Sequence, residues 1–170
     1  MLLDRRDSQG WVLKALREAG NSLLSELYSV DEARLCRRPD EGEWCLKEIA
    51  AHMRDAEELA LQQLQSIAAG APRLPAWDTD LLPMERDYLA GDAEEFLLEF
   101  SALRRRTTEL LWSLDEREWH ESGNHPYRGE VTIGQVAHEL AQHDLEHLWQ
   151  VRQLKYQLGA ITAGATDDDW

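Results

Sequence analysis

The chain has 170 residues, with eighteen basic side chains against thirty-three acidic ones and a formal charge of −15. That length suits one domain burying about two thirds of the surface its unfolded chain exposes. The acid surplus repels nucleic-acid phosphates and anionic lipid, so neither is expected as a partner. No stretch approaches the ~20 apolar residues of a membrane span, and Asp4, Arg5, Arg6 and Asp7 interrupt any apolar run resembling a signal peptide. Cys36 and Cys45 are too few for a disulfide framework. A cytoplasmic protein with reduced thiols is expected.

Taken in chain order, the sequence shows four long helical patterns and no convincing strand. The first runs from about Ser8 to Tyr28, with Trp11, Leu13, Leu16, Leu23, Leu24 and Leu27 at helical spacing despite Gly20. A polar stretch follows from Asp31 to Glu43, with a short helical turn expected near Glu32 to Cys36. The second helix starts near Trp44 and ends near Ala69, where Gly70 and Pro72 are stop signals. The next connection carries Pro72, Pro75 and Pro83 and a brief helix around Met84 to Leu89. Asp92 caps the third helix, with Glu95 completing a capping-box pattern, and Phe96, Phe100, Leu103, Leu110, Leu111 and Leu114 share its apolar face. A turn-rich loop spans Asp115 to Val131. Thr132 caps the fourth helix, which is expected to reach Leu158 and stop before Gly159. The fold class is therefore all-α, a four-helix bundle with long connections. Residues 1–158 form its one domain, and residues 159–170 an acidic C-terminal tail.

The fourth helix packs three of the six histidines, His138, His143 and His147, into ten residues. At about 100° per residue, counted from Ile133, the residues Val136, Leu140, Val151 and Leu154 define a core stripe between about 300° and about 360°. His143 falls at about 280° and His147 at about 320°, one turn apart on that inner side, whereas His138 lies opposite, at about 140°. On the second helix, counted from Ile49, His52 falls at about 300° and also faces inward. Inward imidazoles are costly unless their ring nitrogens are satisfied. Separate hydrogen-bonded core histidines are one solution. An inward i, i+4 pair joined by a third inward histidine favours the other, a shared metal ion. Three imidazoles leave coordination positions open, as in catalytic sites. Cys45 shares the face of His52 but lies about 10 Å along the helix, too far for the same ion.

The segment from Trp44 through His52-Met53-Arg54-Asp55 resembles the second-helix motif of the DinB-like superfamily, a tryptophan before a helix carrying His-x-x-Asp. The run Gly129 to Gly134, followed by His143-Asp144-Leu145-Glu146-His147-Leu148-Trp149, resembles its fourth-helix motif, and Phe100 to Arg104 matches in the third helix. The resemblance implies a four-helix bundle holding a divalent metal through His52, His143 and His147. It also implies a homodimer and, in its best understood members, thiol transferases or isomerases that use a low-molecular-weight thiol. Imidazole suits zinc, nickel, iron and manganese alike, with zinc or nickel the leading expectation. The function expected is a divalent-metal-binding protein acting on a small molecule as a thiol S-transferase or isomerase. The alternatives are a non-catalytic metal-binding or stress-associated bundle, or a small-ligand binding module.

Further residues carry expectations of their own. Asp55, one turn from His52, reads either as a partner that orients the imidazole or accepts a proton, or as a solvated helix charge. Arg104 matches an arginine of the family's third helix and could hold an anionic substrate. Its wheel position, about 80° from Phe96, equally suits a snorkelling surface arginine. Asp144 and Glu146 read as bundle-edge and solvent charges. His125 reads as a loop histidine within reach of the pocket mouth, and Trp44 and Trp119 as core or pocket wall. His138, Leu145, Trp149 and Tyr156 form a second stripe between about 120° and about 160°. That stripe expects a cover, either Leu74, Trp77, Leu81 and Leu82 of the second connection or another subunit.

Overall fold

The apolar stripes come together in a computed structural model as the helices α1 (Arg5–Tyr28), α3 (Leu46–Ala68), α5 (Ala93–Ser113) and α6 (Ile133–Gly164). The structure describes residues 5–164, so the acidic stretch Asp167 to Trp170 lies outside the described residues. Helix α3 packs against α5 and α6, and α1 against the same two. Thus α1 faces α3 across the bundle, and α5 faces α6. Short helices α2 (Glu32–Leu35) and α4 (Leu82–Glu85) sit in the first two connections, and 3-10 turns cover Tyr88–Ala90 and Glu118–His120. No helix among the described residues is long and apolar enough to cross a membrane.

Side chains that satisfy backbone groups set where these helices start. The Cys45 amide donates to Glu48 Oε2 at 2.9 Å, closing the first turn of α3. Asp92 Oδ1 accepts from the Glu94 and Glu95 amides at the start of α5. Thr132 and Gln135 exchange bonds at the start of α6: Gln135 N to Thr132 Oγ1 at 3.1 Å, and Thr132 N to Gln135 Oε1 at 2.9 Å.

Two stretches depart from the periodic reading. The loop expected between Asp115 and Val131 contains an antiparallel hairpin, β1 (Ser122–His125) paired with β2 (Gly129–Thr132). Its strands have four residues each, too short for an alternating pattern, and Gly129 supplies the left-handed turn at φ 76°. The Leu74 amide bonds Asn124 O at 3.0 Å, fastening the α3–α4 connection to the hairpin. Helix α6 also continues through Gly159 to Gly164, because glycine weakens a helix without forbidding one.

Two apolar clusters fill the bundle. One gathers Leu23 and Leu27 of α1, Ile49 and Met53 of α3, Phe96 and Phe100 of α5, and Val151 and Leu154 of α6. The other gathers Leu16, Leu64, Leu111 and, from α6, Ile133, Val136 and Leu140. Each fully buried Leu or Ile contributes about 1.5–3 kcal/mol. Between the clusters runs a buried polar layer of His52, Asp55, Glu57, Arg104, Thr107 and Asp144. Every candidate site residue on α3, α5 and α6 lies in or beside that layer.

Candidate metal centre

His52 on α3 and His143 and His147 on α6 converge, each offering a ring nitrogen within 4.8 Å of the others. His52 is fully buried, whereas His143 and His147 are half-buried and open the cluster to one side. His52 Nε2 and His143 Nε2 are 2.9 Å apart. The ring centroids lie 4.4 Å apart for His143 and His147 and 4.7 Å for His52 and His147. Trp44 walls the cluster, its ring 4.9 Å from that of His52 and parallel to that of His147 at 6.5 Å. His138 is exposed on the far side of α6, as its wheel position requires.

The partners of the other nitrogens fix the tautomers. Thr79 O can only accept, so His52 Nδ1 donates to it at 3.3 Å and Nε2 keeps its lone pair. His147 Nδ1 donates to Gln150 Oε1 at 2.8 Å, which makes its Nε2 the lone-pair nitrogen. Burial, reinforced by the neighbouring His147, pushes His52 down to about 4 and His143 down to about 3; burial also lowers His147. All three rings are neutral at pH 7, the form that binds a metal.

This donor set fits a divalent cation. Imidazole nitrogens bound at about 2.0–2.1 Å are about 2.9 Å apart at a right angle and about 3.4 Å apart at a tetrahedral angle, a range that matches the two Nε2 atoms. One N–H···N bond could satisfy that pair of rings alone. It leaves a third lone pair at His147 and a buried Nδ1 on His143 with no hydrogen-bond partner among the described residues, so hydrogen bonding by itself is a poor account of the cluster.

The remaining candidates lie elsewhere. Asp55 is fully buried, yet it meets neither nitrogen of His52. It accepts from the Tyr88 hydroxyl, from Arg54 Nε at 2.7 Å and from Arg86 Nη1 at 3.2 Å. Three residues beyond His52 it points about 60° away around α3, so Thr79 orients the imidazole instead. Arg104 is neither a snorkelling side chain nor open to a substrate. It is 7 % exposed and spans the bundle interior, with Nη2 at 2.6 Å from Glu57 Oε2, Nη1 at 2.6 Å from Asp144 Oδ2 and Nη1 donating to Leu16 O. Asp144 is likewise no bundle-edge charge, being fully buried. Burial raises its carboxyl to about 6 even beside Arg104. Glu146 is exposed and bonds Gln142. His125 accepts from the Tyr127 amide at 3.2 Å within its own hairpin. Trp119 is core.

The sequence gives no sign of Thr79 and Gln150, which hold two of the clustered rings, or of Glu57, the second anion on Arg104. Asp144 was within reach of the wheel: it falls at about 20° from Ile133, beside the core stripe of α6.

The fold is a four-helix bundle in which three inward histidines converge from the second and fourth long helices. The profile of the DinB superfamily matches residues 15–151, and the chain belongs to that superfamily. It is 24% identical over 148 residues to a protein of Oceanobacillus iheyensis named "Putative metal-dependent hydrolase OB0413", covering 86% of this chain and 84% of that one. Its fold is similar to that of YfiT from Bacillus subtilis, described as "a probable metal-dependent hydrolase with an unusual four-helix bundle topology", at a TM-score of 0.82 and 16% identity over 94% of this chain and 92% of that one. A mycothiol-dependent maleylpyruvate isomerase shares the fold at a TM-score of 0.70 and 13% identity, over 84% of this chain and 60% of that one.

Proposed function

We propose that this protein is a metal-dependent enzyme in which His52, His143 and His147 hold one divalent cation, zinc or nickel, whose open side activates a bound nucleophile for attack on a small molecule. The observation that carries the reading is the convergence of three neutral imidazoles, two with tautomers set by Thr79 O and Gln150 Oε1, on a half-open cluster. Such an ion lowers the pKa of bound water or thiol and polarises a carbonyl. The chain's own residues present the donors, exclude water on the buried side and shape the approach. A cleft of about 580 Å³ adjoins His147 between α6 and the 39–44 segment, walled by Trp44, Trp149, Gln150, Gln153 and Gln157.

Hydrolysis with water as the nucleophile is the preferred reaction, supported by the names of the Oceanobacillus and Bacillus relatives. Transfer or isomerisation through a low-molecular-weight thiol is the second reading, supported by the mycothiol-dependent neighbour and by a cleft roomy enough for a thiol adduct. The experiment is metal analysis of purified wild type with His52→Ala, His143→Ala, His147→Ala and His138→Ala. One equivalent of metal is expected in wild type and His138→Ala, and loss in the other three. Metal retained by the triad variants, or never bound by wild type, overturns the reading. Ester and amide substrates, set against electrophiles offered with mycothiol, bacillithiol or glutathione, then separate the two reactions.

We further propose a homodimer formed through the outer stripe of α6. Leu145, Trp149 and Tyr156 are 53 %, 66 % and 76 % exposed. Leu74 and Leu82, expected as their cover, are buried in the two cores instead. A stripe of that size supports a partner subunit.

A further inference from the structure

We propose that Asp80, on the connection between α3 and α4, is a fourth ligand of the ion held by His52, His143 and His147, binding through one carboxylate oxygen. The proposal rests on the metal reading above and adds a protein donor beside His52.

Three observations place Asp80 beside the cluster. Its Oδ1 lies 3.9 Å from His52 Nε2, the lone-pair nitrogen that faces His143, and not beside Nδ1. The turn that carries it is anchored to the same imidazole, because the preceding residue supplies the carbonyl that accepts from His52 Nδ1. The turn is also closed on itself, with Asp80 N donating to Asp78 Oδ1 at 3.0 Å and Leu81 N to Asp78 O at 3.3 Å. Backbone and side chain of one dipeptide therefore address the two nitrogens of one ring.

The distance to His52 suits coordination. Ligand atoms in a tetrahedral site are about 3.4 Å apart, so Oδ1 needs to move by only about half an ångström relative to His52 Nε2. Its side chain is 81% exposed, so the approach costs little packing. A carboxylate also changes the character of the centre. Three imidazoles leave the complex at +2, whereas a fourth, anionic donor makes it +1 and adds a hard oxygen that suits zinc, manganese or iron better than softer ions. Being on an exposed connection, the ligand is the one a substrate could displace without disturbing either helix.

The test compares wild type, Asp80→Asn, Asp80→Ala and Glu146→Ala, the last removing another exposed carboxylate close in sequence to His147. Zn(II) affinity is read by competition with a chromophoric chelator, and coordination by the visible absorption of the Co(II)-substituted protein. Both Asp80 variants should bind Zn(II) about 10–100-fold more weakly and alter the Co(II) bands, with Glu146→Ala leaving both unchanged. Thermal unfolding of the metal-free proteins should be the same for all four. Zn(II) affinity within twofold of wild type, or a loss matched by Glu146→Ala with an unchanged Co(II) spectrum, overturns the proposal. Failure of wild type to bind Zn(II), or equal binding by His147→Ala, would instead remove the triad reading beneath it.

Discussion

Asp144, the residue after the triad's His143, is held with its Oδ2 2.6 Å from Arg104 Nη1 in the bundle interior. The same guanidinium meets Glu57 Oε2 through Nε at 3.0 Å and Nη2 at 2.6 Å, and Thr107 Oγ1 donates to Glu57 Oε1 at 2.5 Å. One cation thus joins α3, α5 and α6, and through Leu16 O also α1. This ties the backbone around His143 to the helix that carries His52.

Removing that cation leaves two carboxylates buried without a counter-charge. Arg104→Ala should cost about 3–5 kcal/mol in urea unfolding. Arg104→Lys should recover only part of it, since an ammonium cannot reproduce the fork to Glu57. A loss below about 1 kcal/mol would show that the network is hydrated and carries little.

Gly20 bears on the same group. A Cβ built there would lie 3.0 Å from Arg104 Nη1, a nitrogen already pinned by Asp144 and Leu16 O. In an ordinary helix interior Gly→Ala gains about 0.5–1 kcal/mol. Here the crowding should outweigh the gain, making Gly20→Ala destabilising by about 1 kcal/mol or more. A raised melting temperature would contradict this packing.

Acid should weaken the metal-free protein. His52 and His143 titrate near 4 and 3 in the fold against an ordinary 6.5, so between those values the unfolded chain binds protons that the folded one refuses. Stability present above pH 6.5 is lost as pH falls, at about 1.4 kcal/mol per pH unit for each such proton. Asp144, raised from 3.8 to about 6, acts in the opposite sense and cancels one proton between those values. Urea unfolding in the presence of EDTA should therefore show a net loss from pH 7 to pH 5, shallower in His143→Ala. A flat profile would argue against buried neutral histidines.

The outer stripe of α6 predicts a dimeric mass in solution, with Leu145→Ala and Trp149→Ala together shifting it to the monomer. A monomeric wild type, or a double variant of unchanged mass, would count against a subunit interface there.

The periodic part of the fold was legible because it follows from local rules. Thr132, Asp92 and the apolar positions of α6 mark helix starts and faces whatever the rest of the chain does. The same arithmetic turned His52, His143 and His147 inward and His138 outward. The hairpin was not legible, since the segments around Gly123 and Gly129 are too short to carry a period.

What the sequence by itself determined is therefore the class of fold, the order of its helices and the three histidines that share its interior. These depend on residues within a few turns of one another. Tertiary structure alone decided that Thr79 and not Asp55 holds His52, that Arg104 and Asp144 lie between the helices, and that Asp80 stands beside the cluster. Those pairings join residues 25 or more positions apart, and bundle geometry, not helical period, sets which of them meet.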